Sequence, residues 1–357
     1  MKKYFSSLII LILLTISVFS QSDTILKDTT LCRKEIIITG VGDIMLGSSF
    51  PSTRFLPPHD NPLLLLGDLA DTLASSDITF GNLEGSFLDD GDPVKRCKDT
   101  TICYLFRMPE RYAGALASSG FDFLSLANNH FGDFGYPSRR KTMRILDSLG
   151  IKYGGLAEYP FSYLYRDSVL YGFCAFAPNA GTVSITRIDE AAAIVRKLAD
   201  TCDIVIVSFH GGAEGADHQH VTRDYEMFYT ENRGNVYSFA HTMIDAGADI
   251  IFGHGPHITR AVEVYRDRFI AYSLGNFCTY GRFNLTGPNG IAPLVRITVD
   301  TEGRFRHGTI IPVFQLYPGG TRIDPSRRAI SKIKDLTAAD FPEAVISISD
   351  KGEIKYK

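Results

Sequence analysis

The chain has no tryptophan, no CxxC pair and no excess of charge of either sign. It sets 37 Lys and Arg against 40 Asp and Glu, a formal net charge of −3. That balance gives no electrostatic case for nucleic acid, and no nucleic-acid partner is expected. Without CxxC, a cysteine-ligated zinc site is disfavoured. There is no G-x-S-x-G elbow and no phosphate-binding P-loop. Gly40-Val41-Gly42 does not continue into a dinucleotide fingerprint. No cysteine has an evident partner histidine. After Ser20 no stretch is long and apolar enough to span a membrane. Internal repeats, low-complexity tracts and clear interdomain linkers are also missing.

What is present is ample apolar material. The 357 residues are 45% hydrophobic, enough for one large or two ordinary domains. Lys2 and Lys3 precede an apolar run from Leu8 to Phe19, and Val18-Phe19-Ser20 before Gln21 is a tolerable cleavage site. Residues 1–20 therefore read as a signal peptide of an exported protein: periplasmic, secreted or at the cell surface. An uncleaved N-terminal membrane anchor is the alternative. No cysteine follows the apolar run closely, which argues against a lipid anchor. Residues 21–34 read as a flexible lead-in, 35–320 as the folded domain, and 321–357 as a charged C-terminal extension packed on or trailing it. Of the six cysteines, Cys97 and Cys103 bracket a short polar segment and are expected to form a local disulfide. Cys174 and Cys202 lie in apolar runs and read as buried thiols.

Strands alternate with helices along most of the chain. Strands are expected over 35–41, 77–80, 121–127, 170–176, 203–209 and 248–252, then at 269–274, 294–299 and 307–314. Helices are expected over 63–75, 109–119, 137–149, 189–200 and 236–246, several ended by glycine. This alternation predicts an α/β layered domain. Residues 215–233 are polar and read as a loop.

The chemistry sits where those strands end. The loops after them carry, in order, Asp43, Asn82 with Glu84, Asn129 with His130, His210, then His254 with His257. Asn276 closes the series. Open α/β sheets bind ligands at the carboxyl ends of their strands. Carboxylate, amide and imidazole donors together suit one or two divalent cations of the zinc, manganese or iron kind. Each residue also has an ordinary alternative. Asp43 could cap a helix, Asn128 and Asn129 could shape a turn, and His210 could be a satisfied core histidine. Two imidazoles on the Gly/Pro-shaped loop GHGPH are seldom needed for packing.

The series GDIML, GNLE, ANNH, HGGAE, GHGPH and SLGNF resembles the CapA family, named for poly-γ-glutamate capsule biosynthesis. That family is similar to the calcineurin-like metallophosphoesterases. The resemblance spans roughly residues 36–280 and implies a four-layer α/β/β/α sandwich of metallo-dependent phosphatase type. It places Asp43 and His257 at one metal, Glu84 as the bridge, and Asn129, His210 and His254 at a second. His130 would stand near the leaving-group oxygen as a general acid. The sequence departs from the phosphoesterase pattern. Met45 stands where that pattern has histidine, and a thioether is a poor ligand for such cations. Asn82 stands where it has aspartate, and Glu84 is the carboxylate. Gly211 replaces a tryptophan common in the CapA family.

Arg107 matches a family stretch and could bind an anionic group bidentately or form a surface salt bridge. Asp133 could orient His130 or terminate a turn. Glu214 could back a ligand, face the substrate, cap a helix or be solvated. Asn82 and Asn276 read as supports of the site. His218, His220 and His241 read as solvated or packing residues. Two functions follow. One is an extracytoplasmic metal-dependent hydrolase of phosphoester type, acting on phosphorylated envelope or capsule material beside membrane-associated capsule machinery. The other is a non-catalytic binding or export component for an anionic polymer such as poly-γ-glutamate.

Overall fold

The computed structural model describes residues 35–96 and 103–357. The signal-peptide and lead-in expectations lie outside those residues, as do Cys32 and Cys97.

Ile36-Ile37-Ile38 opens the first strand because β-branched side chains suit a pleated, buried surface. That strand, β1 (Ile36–Met45), lies beside β2 (Ile78–Leu83), β3 (Phe123–Ser125) and β4 (Lys152–Gly154), all parallel. A second sheet is built from β5 (Phe161–Arg166), β6 (Val169–Phe176), β7 (Ile204–His210), β8 (Ile250–His254), β9 (Val262–Tyr265) and β10 (Arg268–Ala271). Its order is β9-β10-β8-β7-β6-β5. The chain then returns to the first sheet. β11 (Asn276–Thr279) pairs parallel with the end of β1, and β12 (Ile291–Val299) pairs antiparallel with its start. β13 (Phe305–Leu316), β14 (Gly320–Ile323), β15 (Ile346–Ile348) and β16 (Glu353–Tyr356) extend that sheet outward.

The two sheets face one another. Phe80 of β2 stacks on Phe252 of β8 with ring centroids 5.2 Å apart. Helices α1 (Leu69–Ala74), α2 (Ala113–Ser118) and α3 (Gly135–Leu149) bury their apolar faces with Val41, Ile44, Leu83 and Leu124 on the outside of the first sheet. Helices α4 (Ile188–Ala199) and α5 (Val236–Asp245) do the same for the second sheet. Covered on both faces, β7 is buried at every position, which explains the unbroken apolar run in its sequence. The architecture is the four-layer α/β/β/α sandwich.

Three local departures from the sequence expectations have physical causes. The helix expected over 63–75 is broken into Leu63–Leu66 and α1, because Gly67 turns left-handed at φ 51°. The polar 215–233 loop carries a short hairpin, Met227–Phe228 with Glu231–Asn232. The charged tail is regular after all: α6 (Arg328–Asp340) packs on β9, β12 and β13, and Ile333 and Ile354 are fully buried. Its few apolar residues are spaced to reach the core, a pattern that its charge obscures.

Candidate functional site

β1, β2, β7 and β8 all point their C-terminal ends into one crevice between the sheets. Register brings the side chains together. Asp43 lies opposite Asn82 of β2 and Asn276 of β11, and His254 lies opposite His210. Gly42 makes the first contact possible. A Cβ there would sit 1.9 Å from the Gly275 carbonyl oxygen, so only glycine lets Asp43 N–H donate to that oxygen at 2.8 Å.

Asp43 is fully buried and gripped from three sides. Asn82 Nδ2 donates to its Oδ1 at 2.8 Å, His257 Nδ1 lies 2.8 Å from its Oδ2, and His254 Nδ1 lies 3.2 Å from Oδ1. Burial alone would raise the Asp43 pKa. The two imidazoles more than offset it and hold the carboxyl well below the usual range. Glu84 responds oppositely. Burial, then the Asp43 charge, push its pKa up to about 8. Asn82 Nδ2 bridges the two carboxylates, donating also to Glu84 Oε2 at 2.5 Å. Asn128 fixes Asn82 in turn: its Nδ2 donates to Asn82 Oδ1 and Leu83 O, and its Oδ1 accepts from His130 N–H and Phe131 N–H.

The opposite wall is different. Among the described residues, both ring nitrogens of buried His210 and Nε2 of buried His254 lack a hydrogen-bond partner, and His254 Nδ1 has only its 3.2 Å contact with Asp43. Among the described residues, buried Glu84 Oε1, Asn129 Oδ1 and Asn276 Oδ1 have no partner either. His210 Nδ1 stands 3.6 Å from Glu84 Oε2, near but not bonded. Its pKa is lowered well below the ordinary imidazole value, first by burial and then by the Arg233 charge. His257 adopts a left-handed φ of 58°, a strained conformation for a non-glycine residue. Asn276 Nδ2 and Asn289 Nδ2 both donate to the His257 carbonyl oxygen at 3.2 Å and hold it there. Burial would lower the His257 pKa; the bond to Asp43 and its charge dominate and raise it to about 9.

Orphaned buried polar atoms are rare, and so many converging on one crevice call for a ligand. Imidazole nitrogens, carboxylate oxygens and amide oxygens are together a donor set for a divalent cation. Among the described residues, no three His, Cys, Asp or Glu side chains are drawn up as a group that could hold a metal ion as they stand. Direct acid–base contacts explain this: Asp43 is engaged by His257 and Asn82 instead of sharing a centre with His210. Met45 is fully buried in the core under the first sheet and offers the crevice nothing.

Beside the crevice lies a cavity of about 490 Å³. Asn129, His130, His257 and Asn276 line its floor. His130 Nδ1 is 2.8 Å from Asp133 Oδ2, which also accepts from Phe106 N–H at 3.0 Å. Lys95 Nζ is 3.1 Å from Asp133 Oδ1. Burial lowers the His130 pKa, and the Asp133 carboxylate offsets part of that. Glu214 lines the cavity wall and pairs with Arg233 at 3.1 Å. Arg107 does not line it. Its guanidinium donates to Ser49 Oγ at 3.1 Å and Gly91 O at 2.6 Å, bracing two loops. His241 pairs with Glu263 at 3.0 Å and His220 with Asp340 at 2.6 Å, both away from the cavity.

Sequence reasoning missed Arg233, Lys95 and Asn289. Arg233 is buried, donates to Gly212 O at 3.0 Å, and pairs with Glu231 at 2.9 Å. Nothing in the polar run around it distinguishes an anchored arginine from a solvated one. Cys103 lines the cavity and is disulfide-bonded, while Cys174, Cys202 and Cys278 are free thiols. The pairing with Cys97 lies outside the described residues.

Comparison with known proteins agrees with the strand-end motifs. The family model described as bacterial capsule synthesis protein PGA_cap matches residues 37–163 and 174–280. The chain is 27% identical over 271 residues to the capsule biosynthesis protein CapA of Bacillus anthracis, covering 69% of this chain and 60% of that protein. It is 28% identical over 256 residues to the PGA biosynthesis protein CapA of Bacillus subtilis, covering 66% of this chain and 61% of that one. The chain thus spans about 60% of the length of these relatives. Among solved structures, a putative 5'-nucleotidase from Staphylococcus aureus aligns with a TM-score of 0.45 at 15% identity, over 76% of this chain and 52% of that one. The matched span includes every strand that feeds the crevice, and the chain belongs to the PGA_cap family of bacterial capsule synthesis proteins.

Proposed function

We propose that the protein is an extracytoplasmic, metal-dependent hydrolase of phosphoester type that acts on envelope or capsule material. The observation carrying this reading is the set of buried donor atoms on His210, His254, Glu84 and Asn129 that have no hydrogen-bond partner among the described residues. Asp43, Glu84, Asn129, His210, His254 and His257 would hold one or two ions of manganese, zinc or iron. A cation bound there supplies Lewis-acid polarisation of a phosphoryl oxygen and an acidified water.

The chain's own residues do the rest. Asn82 keeps two carboxylates side by side without mutual repulsion expelling one. Asn276 and Asn289 fix the His257 backbone. His130 carries a proton on Nδ1 toward Asp133, which leaves Nε2 to serve the cavity. Once protonated there, it passes that proton to the leaving oxygen as the P–O bond breaks. An arriving phosphoryl anion favours the protonated imidazole and counteracts the burial that lowers its pKa. Aromatic walls from Phe106 and Phe283 screen this transfer from water; the Phe106 ring centre lies 4.3 Å from that of His130.

The test is turnover of generic aryl phosphomonoesters and phosphodiesters by dialysed protein, with and without added manganese, zinc or iron. Metal-stimulated release of the aryl group is expected. No turnover with any ion, despite stoichiometric metal uptake, would leave the second reading, a component that binds or exports an anionic polymer. Buried Met45 favours that reading, because one wall of the ligand set is thinner than the phosphoesterase pattern.

A further inference from the structure

Arg282 lines the cavity, and Arg54, outside the lining, shares the Phe55 ring with it; among the described residues the two have no counter-ion. Both guanidiniums lie over the Phe55 ring, Arg54 at 4.6 Å from its centroid and Arg282 at 5.5 Å. Arg282 also lies over Tyr104 at 5.1 Å. Among the described residues neither arginine is in an ion pair. Among the described residues Arg282 gives one hydrogen bond, to the Cys103 carbonyl at 3.3 Å, and its other N–H donors are unspent there. Burial lowers its pKa and the neighbouring Arg54 charge adds to that.

The arrangement is built into the backbone. Gly281 adopts φ +90°, and a Cβ there would meet Phe55 Cβ and O at 3.1 Å. Only glycine lets the chain lie this close to Phe55 and deliver Arg282 onto its ring. Arg282 and Tyr104 line the same cavity as His130, His257 and Asn276. The next residue, Phe283, has its ring 5.7 Å from His257. By contrast, the other cations on the cavity wall are spoken for: Lys95 by Asp133, and Arg233 by Glu214 and Glu231.

Two like charges, stacked on aromatic faces so that their planar forks are preorganised, suit an oxyanion. We infer that Arg54 and Arg282 form a second anionic subsite, which grips a carboxylate or phosphate group carried by the ligand beyond the reacting centre. This inference takes the cavity as the substrate site of the proposed hydrolase, and it deepens that reading: the ligand is a chain with more than one anionic group.

The test is fluorescence anisotropy with the full chain and two labelled probes, an oligoglutamate peptide and a linear polyphosphate of similar charge. The Arg54→Gln/Arg282→Gln double variant is compared with an Arg223→Gln/Arg266→Gln variant, which removes the same net charge from ion-paired positions outside the cavity lining. The expected result is at least about tenfold weaker binding of one probe or both in the first variant only, with a shallower dependence on salt. Whichever probe loses more identifies the oxyanion source. Arg282→Lys keeps the charge but not the fork, and should fall between parent and double variant. Equal losses in both double variants, or a parent that binds neither probe at low salt, would overturn the inference. Aryl phosphate turnover is scored separately on the parent. Pair-dependent binding without turnover removes the hydrolase reading alone; turnover without pair-dependent binding removes the subsite alone.

Discussion

The two ends of the same parallel strands use acidic residues in opposite ways. At the N-terminal ends, Asp77, Asp122, Asp203 and Asp249 each precede a strand and bracket its neighbour. Each donates its own N–H to a carbonyl and accepts, on its carboxylate, the N–H of the same residue. The bracketed residues are Ile37, Thr79, Leu170 and Val205, with carboxylate contacts of 2.8, 2.9, 2.8 and 2.7 Å. Two brackets lie in each sheet, so the device is repeated across the sandwich. At the C-terminal ends, Asp43 and Glu84 meet side chains rather than backbone, and among the described residues His210 and the Nε2 of His254 have no hydrogen-bond partner. The lesson is that a carboxylate at a strand end is not informative by type. What separates lock from site is whether the backbone next door satisfies it.

The sharpest way to break this contrast is to substitute at each end and ask which property moves. His210→Ala with His254→Ala should abolish retained metal and turnover while leaving the fold intact, because the rings bond no backbone and His254 touches only the Asp43 carboxylate of the same crevice. Loss of about 100-fold or more in metal affinity is expected, at or above the cost of disturbing a supporting partner. Metal analysis after dialysis and far-UV circular dichroism check both halves. His130→Ala should keep its metal and lose about 10²–10⁴-fold in turnover. A variant that instead lost metal would make His130 a ligand.

At the other end, Asp249→Ala should cost about 1–3 kcal/mol of stability, since the buried Val205 N–H then loses its acceptor and Arg268 its partner. Metal content should not change. Denaturant unfolding and metal analysis on the same sample test this; a drop in metal without a drop in stability would erase the distinction between the ends.

The smallest expected effect is in pH. Glu84 is pushed up to about 8 from 4.5, and His257 up to about 9 from 6.5. Each binds a proton in the fold that the unfolded chain would release earlier, so their stabilising contributions fade as pH rises through those values. Metal-free protein should therefore melt at falling temperatures between pH 6.5 and 9. A cation competes for the same atoms, so metal affinity should rise over that window. Melting curves with and without chelator that stay parallel across it would contradict both assignments.

Much of this was legible in the sequence, and for one reason. Apolar runs such as Ile204–Phe209 announce buried strands, and polar residues just after them announce the crevice. Asp43, Glu84, His210 and His254 were singled out that way. The brackets were not, although an aspartate stands before each of four strands. A residue at a strand's start reads as a boundary marker, and only register shows it accepting a neighbour's N–H. Arg233, Arg282 and Asn289 were illegible for a different cause. They come from irregular loops, and a loop's sequence does not say which side chain folds inward. Arg107 shows the converse, a motif arginine that the fold spends on Ser49 and Gly91.

The orphaned donors at the C-terminal strand ends are proposed as metal ligands. Anomalous diffraction from crystals of the full chain grown with manganese or zinc tests that assignment most directly. A peak is expected in the crevice within about 2.0–2.2 Å of imidazole nitrogen from His210 or His254 and of carboxylate oxygen from Glu84. No peak there at saturating metal, or a peak bound only by groups outside Asp43, Glu84, Asn129, His210, His254 and His257, would contradict it.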